Sequence, residues 1–391
     1  MNIERAHDVA AADAVVDRLL VTIDVPVDTP DLDQFLRREL GGRDWAHLFV
    51  FSPVRDILHS LARGVARLCP DTDVTGCTTA GQIGRRGYEG DESSIIIGMP
   101  AEHFATRTVR IDDLDTLDPQ AIIDALVQAR ATLTQAHPDK PNGFGFLLVD
   151  GLSMREDELA ATVAPSMGAW PVFGGSAGDG ARFEQTWLVQ GDTISTGIAL
   201  LTFVRTACET RVFSLNHLEP TDRRMIVTRA DPAARIVKQI NAEPAAREYA
   251  RIIGKDPEQL DEFTFSAHPV VVRLGDTHHV RAIQRVNEAG ELVFFAAIEE
   301  GMVLNVAEPR DIAPHLDTEL NKLKAGRGDV EIFACDCLLR KIEAEQTQAT
   351  RAMTDVLTRH SVVGFSTYGE QIGPLHVNHT MTGVMLVAPD S

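Results

Sequence analysis

The chain has 391 residues, 44% of them hydrophobic, which is enough for a substantial core and suits two domains of ordinary size. Its 37 Lys and Arg against 57 Asp and Glu give a formal charge of −20, so its surface is a poor counterion for phosphate backbones or anionic lipid, and neither nucleic acid nor a membrane is expected as a partner. Five cysteines, odd in number and irregularly spaced, argue against a disulfide framework. Glu4, Arg5, Asp8, Asp13, Asp17 and Arg18 interrupt the N-terminal stretch, so no signal peptide or membrane span is read there and a cytoplasmic location is expected.

In chain order the sequence reads as three similar units, each running strand, helix, strand, glycine turn, strand. In the first, His47–Ser52 is an apolar strand, Val54, Ile57, Leu58, Leu61, Val65 and Leu68 recur at helical spacing, and Val74 leads into the turn at Gly76. In the second, Gly145–Val149 precedes Ser153-x-x-Glu156, a capping-box pattern that opens a helix, and Trp170–Phe173 runs into Gly174-Gly175. Between the second and third units the texture changes. Asp231-Pro232 and Glu243-Pro244 read as helix openings with Gly254 as a stop, so short helices are predicted over 231–263. Pro269–Leu274, Val280–Val286 and Glu291–Ile298, separated by Gly275-Asp276 and by Asn287–Gly290, then predict a β-meander. In the third unit Glu331–Ala334 meets Cys335-Asp336-Cys337, one long helix is predicted over Leu338–Arg359, and His360–Val363 reaches Gly364. The fold class is therefore α/β, with a domain boundary placed at 216–230, where His217–Arg224 is polar and turn-rich.

Loops at the carboxyl ends of strands form the ligand crevice of open α/β sheets, and glycines there let a ligand approach the backbone. That places Ser52, Arg55, Cys77, Thr78 and Thr79, then Asp150, Ser153, Ser176 and Asp179, then Asp336, Cys337, Ser366, Tyr368 and Glu370 near possible ligands; tight turns that merely close each crossover would leave the same pattern. The third unit is richest, because Tyr368 and Glu370 lie in its turn, and His376 and His379 precede its last strand. Histidine is the commonest metal ligand. His268, ahead of the meander, is a weaker candidate of the same kind. Cys335 and Cys337, with one intervening residue, have poor spacing for zinc unless His376 and His379 complete the set. Gly364–Gly369 and Gly174–Gly178 are not nucleophile elbows, and no P-loop lysine, H-E-x-x-H or dinucleotide fingerprint occurs, so no enzyme is read here.

From about residue 40 onwards the chain resembles the FIST family of bacterial intracellular sensory modules, which pair a FIST N with a FIST C domain. The resemblance rests on Gly76–Gly81, Phe173–Asp179, Asp336–Glu343, Gly364–Gln371, His376–Asn378, Thr380 and Thr382–Val384. It implies a FIST N-like domain over 1–220 and a FIST C-like domain over 221–391, the latter carrying the helices, the meander and the third unit. The C-terminal strings are most similar to the haem-binding, nitric-oxide-sensing NosP branch. That likeness implies haem b as cofactor, nitric oxide as ligand at its iron, and a histidine kinase or cyclic-di-GMP enzyme as protein partner, since the chain shows no kinase, GGDEF-like or EAL-like signature of its own. His376, in the matching His-Val-Asn string, is the implied axial ligand, with His379 and His268 as substitutes and Tyr368, Glu370, Phe365 and Met381 around the cofactor. A homodimer is a candidate assembly. Two other readings stand beside it: a FIST sensor of a small polar ligand such as an amino acid, without haem, and a zinc- or thiol-linked redox regulator using Cys335 and Cys337.

Overall fold

The computed structural model describes residues 18–26, 29–89, 93–274 and 277–389. The turn expected at Gly275-Asp276 and the charged stretch at 1–17 lie outside the described residues. The protein is α/β, as expected, and its three units are built alike. Each opening strand pairs in parallel with the strand that ends in the glycine turn: Trp45–Ser52 with Asp73–Thr78, Asn142–Val149 with Val172–Ser176, and Val330–Cys337 with Val362–Thr367. A connecting helix makes this parallel arrangement possible. Each closing strand, Ser94–Pro100, Ala199–Thr206 or Met381–Val387, returns antiparallel on the other side of the opening strand. A flanking strand, Val21–Val25, Phe104–Ile111 or Glu209–Leu215, then pairs with the closing strand.

The short hairpin between turn and closing strand does not stay in its own unit. The first unit's hairpin, Gln82–Gly84 with Gly87–Tyr88, joins the third unit's Val362–Thr367. The second unit's hairpin, Leu188–Gln190 with Thr193–Ser195, joins the first unit's Asp73–Thr78. The third unit's hairpin, Glu370–Ile372 with Leu375–Val377, joins the second unit's Val172–Ser176. The exchange closes a ring of three six-stranded sheets with identical strand roles in identical order. Backbone hydrogen bonds lock it: Ala80 N donates to Ser366 O (2.9 Å), Tyr368 N to Ser176 O (3.2 Å) and Gly178 N to Thr78 O (2.9 Å). Inside the ring, one phenylalanine from each opening strand meets the other two. Phe49, Phe146 and Phe333 have ring centroids 5.2, 5.4 and 4.7 Å apart.

The recurring glycines follow from this packing. A Cβ on Gly76, Gly174 or Gly364 would fall 1.8, 2.0 or 1.8 Å from the carbonyl oxygen of Val50, Leu147 or Ala334 on the facing strand. No side chain fits there, which is why each unit carries a glycine at that point.

The segment between the third unit's flanking strand and its helix Ile312–Lys324 is an inserted eight-stranded sheet, running from Leu218–Asp231 to Val303–Pro309. It has its own core, including Val237, Ile240, Tyr249, Phe294 and Leu304. Several expectations change here. The strand Leu218–Asp231 runs through the region proposed as a domain boundary, and the polar, turn-like residues mark a register shift between Pro220 and Arg224. Asp231-Pro232 opens no helix; it begins a turn into the strand Ile236–Ile240, with Asp231 accepting from Ala234 N (3.2 Å). Glu243-Pro244 does lead into a helix, Ala245–Ile253, ended by Gly254 at φ 73. The predicted meander forms strands Val270–Leu274, Thr277–Arg281, Ile283–Val286 and Leu292–Phe294, but they divide between two stretches of the sheet instead of following one another across it. The capping box is also absent: Ser153 Oγ accepts from Arg155 N (3.3 Å), and Glu156 turns to Arg235 instead. The long helix breaks in two, Leu338–Gln346 and Thr350–Arg359, at Gln348 (φ 59). The sequence division at 220 falls inside the strand Leu218–Asp231, and strands from both sides of it share the ring sheets.

Two predictions test this packing. Gly174→Ala should lower unfolding stability by about 1–3 kcal/mol or more, because the facing carbonyl cannot withdraw from a sheet; chemical denaturation measures it. His47 is fully buried, with Nε2 2.8 Å from Thr75 Oγ1 and Nδ1 3.3 Å from Thr106 Oγ1. Burial lowers its pKa to about 3, so below pH ~6.5 the unfolded chain binds a proton that the folded chain refuses. Stability should therefore fall as pH drops from 6.5, with this residue contributing ~1.4 kcal/mol per pH unit. His47→Gln should flatten that part of the denaturation-midpoint profile.

Candidate functional site

The hairpin exchange carries the third unit's most chemically distinctive residues onto the second unit's sheet. There they meet the start of the second unit's helix Glu156–Val163 and one side of the inserted sheet. Between these three elements lies a cavity of about 680 Å³, lined among others by Leu152, Phe183, Arg235, Phe295, Tyr368 and His376. This volume lies in the range of small-molecule and cofactor pockets.

His376 is 2% exposed. Burial pushes its pKa down, outweighing the nearby carboxylates of Glu156 and Asp157, so the imidazole is neutral. Its backbone carbonyl accepts from Arg281 Nη1 (3.0 Å), a buried guanidinium from the inserted sheet. Its Nδ1 lies 3.3 Å from Gln371 Nε2, which also donates to Ser176 Oγ (3.0 Å). The absence of a side chain at Gly369 makes room for the ring, since a Cβ there would fall 2.4 Å from its Cε1. Near it, Gln371 Oε1 and both amide atoms of Asn378, which like the imidazole lies against Gly369, are buried without hydrogen-bond partners.

Tyr368 lines the same cavity, but its phenol is committed. The hydroxyl donates to Asp179 and accepts from the backbone N–H groups of Asp179 and Phe183 (both 3.1 Å). Asp179 also accepts from Phe183, Glu184 and Gln185 N (2.9, 3.0 and 2.9 Å), donors that hold its pKa down against the opposing effect of burial. Phe183 stacks on Tyr368 at 4.3 Å and stands 6.0 Å from Phe295, so the wall of the cavity is a run of aromatic faces. A second tie holds the inserted sheet to the ring: Arg235 pairs with Glu156 (2.5 Å), both buried.

The other sequence candidates lie elsewhere. Phe365 is buried in the ring core, stacked on Phe51 at 4.2 Å, and Met381 packs with Met353 and Met385. Glu370 is fully buried; Thr367 donates to it, and burial raises its pKa well above the usual range. His268 caps the helix Glu262–Ala267 and lines a different depression. Cys335 and Cys337 are buried on the opening strand, and burial followed by the charge of Glu370 pushes both thiols well up. Neither converges with His376 and His379 in a ligand cluster among the described residues.

His379 belongs to a separate buried network that sequence reasoning missed. Its Nε2 donates to Glu343 (2.6 Å), and His217 Nε2 donates to the same carboxylate (2.8 Å). Arg340 Nη1 donates to His217 Nδ1 (3.0 Å), and Arg340 Nε to Asp336 (2.6 Å), which also accepts from Tyr88 (2.5 Å). Burial lowers the His217 pKa to about 4. Burial would raise that of Glu343, but the imidazole donors of His217 and His379 bring it to about 2. Arg281, Arg235 and His217 carried no signal in sequence, each being a single polar residue in an ordinary strand or connection. Glu343 and Arg340 stood inside a recognised string without an assigned role.

Among the described residues no helix is long and apolar enough to cross a membrane. No curated protein matches the chain. The FIST N domain family matches residues 46–243, and the FIST C domain family matches residues 245–373. The junction between the two matches falls within the inserted sheet, between the strand Ile236–Ile240 and the helix Ala245–Ile253. The chain thus belongs to the FIST family and is a signal-transduction sensor domain.

Proposed function

We propose that the protein is a non-enzymatic haem sensor of nitric oxide, with haem b seated in the cavity between the ring and the inserted sheet and His376 as its axial ligand. The observation that carries this reading is the position of a buried, neutral imidazole in the wall of a cavity of about 680 Å³ faced by Phe183, Phe295 and Tyr368. When bound, haem supplies the iron at which nitric oxide is taken up. The residues fit the group in three respects. Stacked aromatic faces suit a planar macrocycle. Arg285 lines the cavity from an exposed position and suits a propionate carboxylate, whereas Arg235 is taken up by Glu156 and the Phe295 carbonyl.

The third respect concerns the imidazole. A ligand that uses Nε2 must carry its proton on Nδ1 and needs an acceptor there. Turning the Gln371 amide over, an orientation assigned from the hydrogen-bond network, sets its now unpartnered Oε1 beside both His376 Nδ1 and Ser176 Oγ. That orientation gives His376 Nδ1 and Ser176 Oγ an acceptor, and it turns the Gln371 amide nitrogen to the buried position where Oε1 stood without a partner. The inserted sheet touches His376 through Arg281, so a change at the ligand reaches that sheet directly. From there the signal would pass to a separate histidine kinase or cyclic-di-GMP enzyme.

Reconstitution with haemin should give a stoichiometric Soret band that shifts on reduction and again with nitric oxide. His376→Ala should lose most of the bound haem. Tyr368→Phe should keep haem and spectrum, because its phenol serves Asp179. No stoichiometric band, or an unchanged spectrum in His376→Ala, would count against the proposal; in the first case, binding of amino acids with protection of the same cavity would favour the small-polar-ligand reading.

A further inference from the structure

The His217, Glu343 and His379 cluster lies outside the cavity, and the function proposed above does not use it. All three side chains are buried, and their ligand atoms lie within 4.8 Å of one another. They come from three separate places: the connection into the inserted sheet, the helix Leu338–Gln346, and the link between the third hairpin and its closing strand. His379 reaches the cluster from a left-handed backbone, φ 53, unusual for a residue other than glycine. Such conformations persist where surrounding structure fixes them, and they gather at functional sites.

We propose that His217, Glu343 and His379 form a zinc site that staples the neck of the inserted sheet. Two imidazoles and one carboxylate are a common zinc donor set, and three protein ligands leave a fourth position for water. The charge of the surroundings favours a cation. Among the network's buried members, Asp336 and Glu343 are formal anions and Arg340 is the formal cation, so the group is one positive charge short. Its position gives the site a role. The inserted sheet leaves the ring at His217 and returns at Arg310, whose N–H donates to the His217 carbonyl (2.9 Å), beside the paired residues Leu218 and Pro309. A metal at this point would tie both stems of the sheet to the third unit's helix.

One contact has to change. Arg340 Nη1 donates to His217 Nδ1, which puts that histidine's proton on Nε2, facing Glu343. Zinc on Nε2 moves the proton to Nδ1, which then needs an acceptor that a guanidinium lacks, so the Arg340 contact opens to admit a water at Nδ1 while Asp336 keeps hold of the guanidinium through Nε (2.6 Å). Binding thus exchanges the three hydrogen bonds of the cluster for three metal bonds, without net loss of a proton from either imidazole.

The test uses the full chain, stripped with a chelator and titrated with Zn²⁺ against a chromophoric competitor, and separately loaded with Co²⁺. The proposal predicts one tight equivalent per chain and a Co²⁺ spectrum with ligand-field bands but no thiolate charge-transfer band. Glu343→Gln and His379→Ala should weaken Zn²⁺ binding by about 100-fold or more, while the Cys335→Ser, Cys337→Ser double variant should bind as the parent does. No stoichiometric metal, a thiolate band, or affinity unchanged in both cluster variants would overturn it. The Co²⁺ spectrum of the unaltered chain decides the ligand type even if a variant fails to fold.

Discussion

A ring of backbone hydrogen bonds between the three glycine turns holds the three units together. Each turn donates to the one beside it through Ala80, Gly178 or Tyr368, and each accepts the return bond: Ser366 N to Gly81 O, Ser176 N to Gly369 O, and Thr78 N to Trp187 O, all 2.8 Å. These groups are buried, so leaving one unpaired would cost the desolvation of a backbone amide. No unit can satisfy its own turn. Closure around Phe49, Phe146 and Phe333 therefore makes the three units one cooperative body, with the inserted sheet as the part that hangs from a narrow neck.

That closure also creates the site. Because the third hairpin completes the second unit's sheet, His376 and Tyr368 face the helix that begins at Glu156, and the inserted sheet then covers them. Two buried arginines fasten the cover, Arg235 to Glu156 and Arg281 to the carbonyl of His376. A sensor needs an element whose position depends on the ligand. The inserted sheet touches both the cavity and, at its neck, the His217 to Glu343 network, and in the proposed function it is the element that would report occupancy.

The three units were legible in sequence because the same close approach demands the same residue three times: Gly76, Gly174 and Gly364 each face a carbonyl oxygen with no room for a Cβ. That His376 and Tyr368 stand close together follows from their places in the third turn and its hairpin, and both line one cavity. The destinations of the hairpins were not legible, since a short strand carries no mark of which distant partner completes its ladder. For the same reason sequence does not distinguish Phe365 and Met381, which fill the core, from cavity-lining residues, and it gives no mark to Arg281, Arg235 or His217. The broken helix had a different cause. Thr347, Gln348 and Ala349 include neither glycine nor proline, so nothing in their identity marks a break; Gln348 nevertheless takes φ 59, and Ala349 N closes the first helix onto Ala344 O (2.7 Å). The strand Leu218–Asp231 looked like a linker because its polar residues sit at an irregular pairing and alternate toward solvent.

In the proposed function, ligand enters between the ring and the inserted sheet. Hydrogen–deuterium exchange of the full chain with and without one equivalent of haemin locates that entry. Slower exchange is predicted in peptides covering 151–156, 231–236, 284–295 and 368–377, with no change in the opening strands of the ring. Protection confined to other segments, or none at all despite bound haem, would contradict it.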